Sequence, residues 1–258
     1  MTDRFSLAGK TALVTGGGSG IGAAIALGMA DAGARILLVG RRRALLDETL
    51  GARDGTCFDI DLAEQGAPAA LCAAVRSAGH SPDIIVNAAG VNLRQHADDV
   101  DEAGWRLTLR LNLEAPFFVA QGLLPELSAS GAGRIINIAS TAGLKGYAYV
   151  ASYCAAKHAV VGLTRALAIE LARKGGTVNA ICPGYVLTPI VEKQIPDTMR
   201  EYDMTREEVI ENVMLTRQPS KEFATVEQMG GTATFLCSHA AAQITGTTIS
   251  VDGGWTAL

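Results

Sequence analysis

Apolar residues along this chain fall into short, nearly unbroken runs, separated by longer stretches in which they recur every three or four positions. The short runs, at 11–15, 35–39, 56–58, 83–86, 134–139, 177–181 and 248–251, predict β-strands. The longer stretches, at about 20–32, 43–50, 66–79, 103–128, 152–174 and 225–238, predict helices. Seven strands separated by helices specify a parallel sheet with right-handed crossovers on both faces: an α/β, Rossmann-like doubly wound domain. From about 188 to 219 the pattern changes to charged and helical, with Met199, Met204 and Met214 and no strand. That stretch is long for an ordinary connection, and it is expected to be a helical lid over a substrate site. Neither a repeat nor a linker divides residues 1–258, so one domain is expected.

Composition narrows the class of protein. The 258 residues are 48% hydrophobic and 19% charged, enough for a large core. Net charge is −4, and the one basic run, Arg41-Arg42-Arg43, is too short to bind nucleic acid. Five scattered cysteines without a CxxC pair, and four histidines without ligand spacing, suggest reduced thiols in the cytoplasm and no metal site. Residues 1–10 are mixed polar and no apolar stretch reaches membrane-spanning length, so neither signal peptide nor membrane span is expected.

The chemistry begins with Gly16-Gly17-Gly18-Ser19-Gly20-Ile21-Gly22, between the first strand and the first helix. Glycines there let the backbone turn sharply and approach a pyrophosphate, and the helix N-terminus offers N–H groups and a positive dipole end. At the end of the second strand, where an acidic residue would bond the ribose of NAD, stands Gly40, followed by Arg41 and Arg42. A 2′-phosphate would meet no carboxylate and two guanidinium groups, which favours NADP(H) while leaving NAD(H) possible. Asp59 and Ile60, after the third strand, are candidates for the adenine end. Asn87-Ala88-Ala89-Gly90 ends the fourth strand with small residues suited to a flat ligand.

Tyr153 and Lys157 stand at i and i+4, on one face of a helix. A free tyrosine, with pKa about 10, is a poor base at neutral pH, and a neighbouring ammonium favours its ionised form. Ser140 follows the fifth strand, where open α/β sheets bind ligands, and can hold a carbonyl oxygen. Asn112 is an amide within an apolar run, and Pro116, four residues on, cannot bond its carbonyl. A kink is expected there, with that carbonyl free to hold a water linked to Lys157.

Taken in order and spacing, these motifs resemble the short-chain dehydrogenase/reductase family from Leu7 to the C-terminus, with Ala88 where the family usually has asparagine. The resemblance implies an oxidoreductase acting through an Asn112-Ser140-Tyr153-Lys157 tetrad. It further implies that Lys157 bonds the nicotinamide ribose, that Pro183, Gly184, Val186 and Thr188 flank the nicotinamide, and that the protein is a homotetramer. Within the family, the C-terminal half is similar to 3-hydroxybutyrate dehydrogenases. In those enzymes polar residues grip the substrate carboxylate, whereas Asn92, Ala142 and Val150 stand here where glutamine, histidine and lysine are expected. Only Gln194 is retained. Lost charge-assisted hydrogen bonds are worth about 1.5–3 kcal/mol each, so a free acid is expected to bind poorly. Ala142, Tyr147, Val150 and Tyr185 predict an apolar pocket for a neutral ketone or a 3-oxoacyl thioester. Two alternatives remain: an NAD-dependent 3-hydroxybutyrate dehydrogenase holding its carboxylate through Arg94 or Lys145, and a non-catalytic dinucleotide sensor.

Overall fold

The computed structural model describes residues 4–258, so the first three residues of the polar N-terminal segment lie outside the described residues. Seven strands, β1 (Thr11–Thr15), β2 (Arg35–Gly40), β3 (Gly55–Asp59), β4 (Ile84–Asn87), β5 (Arg134–Ile138), β6 (Thr177–Pro183) and β7 (Thr248–Val251), form one sheet. Their order is β3-β2-β1-β4-β5-β6-β7, parallel throughout. The chain runs outward from β1 to β3, then returns beside β1 and builds in the other direction. This reversal opens a crevice beyond the C-terminal ends of β1 and β4.

Consecutive strand residues face opposite cores. Ala12, Val14, Ile36, Leu38 and Val86 meet Ile25 and Met29 of α1 (Gly20–Asp31) and Met229 and Ala233 of α10 (Val226–Cys237). Leu13, Leu37, Ile85 and Ile135 meet Leu71 of α3 (Ala67–Ser77), Val119 of α5 (Ala115–Gly122) and Leu167 of α7 (Ala151–Ala172). The central strands β1, β4, β5 and β6 are covered on both faces, so they appear in the sequence as largely apolar runs, whereas the edge strand β7 is only partly buried.

The helical stretch expected over 103–128 is broken. It comprises α4 (Glu102–Leu109), a π-helical turn (Arg110–Glu114), α5 and α6 (Leu124–Ala129). Within the turn the Ala115 N–H bonds the Arg110 carbonyl, five residues back, and Pro116 next in line has no N–H to restore the ordinary ladder. The 188–219 segment holds α8 (Pro189–Tyr202), α9 (Arg206–Glu208) and a second π-turn (Val209–Met214). Ile195, Val209, Met214 and Leu215 form a small core of its own, flanked by Tyr185 and Phe223. Among the described residues no helix is long and apolar enough to cross a membrane.

Helices α1 and α10 pack closely at glycine. A Cβ on Gly230 would lie 2.8 Å from the Ala24 carbonyl oxygen, while one on Gly231 would meet nothing within 4 Å. Gly231→Ala is therefore expected to stabilise the protein by about 0.5–1 kcal/mol through helix propensity. Gly230→Ala should destabilise it by about 1–3 kcal/mol through overpacking. Urea denaturation of the two variants, giving opposite signs, checks this.

Candidate active site

The crevice is shaped first by glycine. Gly16 and Gly20 have φ of 70° and 55°, which glycine alone adopts without strain. A Cβ on Gly16 would stand 2.9 Å from the Ala89 nitrogen, and one on Gly22 would collide with the Gly16 carbonyl. Thr15 draws the two edges together: its hydroxyl accepts from the Ala88 and Ala89 N–H groups, both at 3.1 Å. In the sequence Thr15 is merely the residue before the glycines, and its signal is a hydroxyl at a buried strand end. The Ser19 side chain caps no N–H of α1; it accepts instead from Arg42 at 3.3 Å. Ile21 packs on the core beneath, and Gly18 sits where a Cβ would be 3.2 Å from Leu45 of α2 (Arg43–Leu50). Close backbone that any side chain would obstruct, at the positive end of α1, fits the pyrophosphate of a dinucleotide.

Gly40 pairs in register with Asp59, and both lie at the same edge of the crevice. Arg41 and Arg42 are exposed beside them, Arg41 being 4.0 Å from the Asp61 carboxylate. Asp59 is exposed, and Ile60 packs partly on the second core. The Asn87 side chain is turned into the sheet. It donates to Asn137 at 2.9 Å, Asn137 donates to Thr164 at 2.9 Å, and Thr164 donates to the Val160 carbonyl at 2.8 Å. This buried chain ties β4 and β5 to α7, so Asn87 presents backbone rather than side chain to the crevice.

At the bottom stands Lys157, 5% exposed, with Nζ donating to the Ile138 carbonyl at 2.7 Å and lying 5.5 Å from the centre of the Tyr153 ring. Among the described residues no carboxylate accompanies this ammonium, and burial pushes its pKa down to about 8. Burial pushes the Tyr153 phenol up, opposed by its hydrogen bond with Ser140. Ser140, extended at the end of β5, also accepts from the Ala142 N–H at 3.1 Å and so begins a 3-10 turn over Thr141–Gly143. Asn112 sits in the π-turn, buried, donating to the carbonyls of Val91 and Thr108 at 2.8 and 2.9 Å. Its Oδ1 has no partner among the described residues and lies 2.6 Å from where a Cβ on Gly90 would be; Lys157 Nζ lies 3.8 Å from that point. The absent side chain of Gly90 thus admits the amide and the ammonium together. A phenol, a hydroxyl and a buried cation so arranged can hold an oxygen and move one proton to or from it.

The rim is more varied. Ala142 and Val150 are buried, whereas Asn92 and Gln194 are exposed. The Tyr147 hydroxyl is 2.7 Å from Thr141 Oγ1, and its ring is 4.8 Å from that of Trp255. Trp255 also stacks on Tyr185 at 6.3 Å. Its wedge position between two tyrosines comes from the turn at Asp252, which accepts from the N–H groups of Gly254 and Thr256 at 3.1 and 2.8 Å. Sequence pattern gave Trp255 no such place, because the contact joins segments some seventy and more than a hundred residues away. After Pro183 at the end of β6, Gly184 lies where a Cβ would be 2.9 Å from Asp252 Cα, and Val186 forms an isolated bridge with Ala224. Thr188 caps α8 by accepting from the Val191 N–H at 3.4 Å, its methyl lying near Gly20. Lys145 donates to the Leu258 carbonyl at 2.6 Å, and Arg94 lies over the Tyr149 ring at 5.4 Å. Tyr149 has φ of 68°, a strain of about 1–3 kcal/mol for such a residue.

Comparison with known proteins agrees with this geometry. A family model described as enoyl-(acyl carrier protein) reductase matches residues 16–256. A D-beta-hydroxybutyrate dehydrogenase of Rhizobium meliloti is 46% identical, covering 96% of this chain and 99% of its own. A 2-dehydro-3-deoxy-D-gluconate 5-dehydrogenase of Bacillus subtilis is 38% identical over 98% and 97% of the two chains. The structure of L-sorbose reductase from Gluconobacter frateurii, complexed with NADPH and L-sorbose, superposes with a TM-score of 0.91 at 31% identity, covering 99% and 100%. A Rossmann-like sheet, a glycine cradle and a Tyr-Lys pair beside a strand-end serine accord with these likenesses, and the chain belongs to the short-chain dehydrogenase/reductase family, as an NAD(P)-dependent enzyme acting on CH–OH groups.

Proposed function

We propose that the protein reduces an uncharged ketone, either a free ketone or a 3-oxoacyl thioester, with NADP(H) as the preferred cofactor. The observation that carries the chemistry is the buried Lys157 ammonium, unaccompanied by a carboxylate among the described residues and one helical turn from Tyr153. Ser140 and Tyr153 hold the carbonyl oxygen, and Tyr153 releases its proton to that oxygen as negative charge develops there. Lys157 stabilises the phenolate left behind. Asn112, through its bond to the Val91 carbonyl, keeps the loop after β4 against this site. When bound, the nicotinamide supplies the hydride in reduction and takes it in oxidation.

The cofactor would lie along Gly16, Gly18, Ser19, Gly20, Ile21 and Gly22, with Asp59 and Ile60 towards its adenine. The Asn87–Gly90 backbone, Pro183, Gly184, Val186 and Thr188 would flank the nicotinamide half. Support for NADP(H) is the absence of a carboxylate at Gly40 beside Arg41 and Arg42, together with the NADPH in the sorbose reductase structure. Support for an uncharged substrate is the apolar pair Ala142 and Val150, and the engagement of Lys145 by the Leu258 carbonyl. One observation favours a 3-hydroxy acid with NAD instead: Arg94, exposed at the rim, has no carboxylate partner among the described residues. A cytoplasmic homotetramer is the assembly we propose. It is supported by five free cysteines and by the exposed apolar side chains Trp105, Phe118 and Ile169 on α4, α5 and α7.

Arg41→Ala and Arg42→Ala should each weaken NADPH binding about tenfold to a hundredfold and leave NADH binding unchanged, as loss of one charged hydrogen bond implies. Fluorescence titration with both nucleotides checks this, and equal losses would overturn the 2′-phosphate assignment. Tyr153→Phe should lower kcat at least about a hundredfold while NADPH affinity stays within a few-fold. A fully active variant would sink the acid role. Measured at limiting NADPH and excess ketone, kcat/KM reports the free enzyme. Lys157 is protonated below about pH 8, so the rate should be flat there and fall as pH rises through that value.

A further inference from the structure

Tyr149 holds a backbone conformation that its own side chain disfavours. Its φ of 68° lies in the left-handed region, where a bulky residue is an outlier. The other two described non-glycine residues with positive φ have local reasons for it. Asp203 is the C-cap of α8, and Lys221 is turned so that its ammonium meets the carbonyls of Glu211, Leu215 and Thr216. Tyr149 ends no helix, and its hydroxyl makes no hydrogen bond among the described residues.

What holds Tyr149 lies on another loop. Its carbonyl accepts from the Gln95 N–H at 2.8 Å, its ring centre is 4.5 Å from that of His96, and the Arg94 guanidinium carbon is 5.4 Å from it. The two loops joined in this way leave the C-terminal ends of the neighbouring strands β4 and β5. Asn112 is bonded to the first of them at Val91, and Ser140 begins the second. Asn92 stands on one loop, and Val150, buried beside the exposed Tyr149, ends the other. A strained residue persists where its surroundings over-determine it, and here those surroundings are the opposite wall of the crevice.

We propose that Tyr149 is a positioning residue, a clasp across the mouth of the site that sets the distance between its two walls and so selects substrates by breadth. The inference rests on the assignment of ketone reduction to Tyr153. The ring is the working part, because asparagine would hold the same φ with less strain but without the contacts to His96 and Arg94.

Tyr149→Asn and Tyr149→Phe, assayed with NADPH against ethyl acetoacetate and the broader ethyl benzoylacetate, test the clasp. A ring contact and a cation–π contact together imply an effect of about tenfold. In Tyr149→Asn the KM for ethyl acetoacetate should rise by about that factor with kcat within about twofold. Preference should shift towards ethyl benzoylacetate by about as much, with the KM for NADPH and the melting temperature not impaired. Tyr149→Phe should behave as wild type. Amide hydrogen exchange at Gln95 should be about tenfold faster in Tyr149→Asn, a readout independent of turnover. Unchanged preference, or an equal loss of kcat for both esters, overturns the proposal. If the wild type reduces neither ester, the ketone assignment fails, and the exchange rate still decides the clasp: faster supports it, unchanged overturns it.

Discussion

Lys157 carries a charge into a place where no carboxylate among the described residues balances it, and its ammonium is held by the Ile138 carbonyl at 2.7 Å. A buried cation costs free energy unless polar atoms meet it. Those atoms must therefore be brought in by backbone, and much of the site is arranged to do so. The carbonyl comes from the last residue of β5, which places α7 against the strand at that level. Tyr153, one turn earlier on the same helix, then reaches Ser140 just beyond the strand end.

Small residues make these approaches possible. Gly90 leaves room for Asn112 Oδ1 and Lys157 Nζ, and a Cβ on Gly143 would lie 2.7 Å from the Lys157 carbonyl. The π-turn at Arg110–Glu114 carries Asn112 in from the side, where its amide bonds Val91 and so fixes the strand-end loop. Beneath the site, the buried chain Asn87–Asn137–Thr164 locks the two strands and the helix in one register. Two buried amide oxygens here, Asn87 Oδ1 and Asn112 Oδ1, have no partner among the described residues, and the second lies beside Gly90 at the crevice.

Away from that centre the rim is assembled from distant segments. Trp255 joins Tyr147 to Tyr185, Gln218 Oε1 accepts from the Tyr185 N–H at 3.4 Å, and Arg94 and His96 meet Tyr149. The helices between Pro189 and Met214 have a small core of their own, apart from the two cores that flank the sheet. Chemistry and specificity accordingly sit on different supports: the first on strand ends and one long helix, the second on loops held by aromatic contacts.

The sequence by itself determined the sheet, the crossovers and the glycine cradle. The central strands β1, β4, β5 and β6 are largely buried on both faces and so leave continuous apolar runs, and Gly16 and Gly20 take the positive φ of a tight turn, so both leave a short-range pattern. The Tyr153–Lys157 pair was equally legible, since helical spacing puts the two on one face. The break in the helix at 103–128 was only half visible: Pro116 marked a kink, but the π-turn and the inward aim of Asn112 depend on Val91 across the crevice. Thr15 as a tie, Asn87 turned into the sheet, Trp255 as a wedge and Tyr149 in its strained conformation were decided by tertiary structure alone. Each depends on a partner far along the chain, and no local period or propensity records which of many distant segments will close against it.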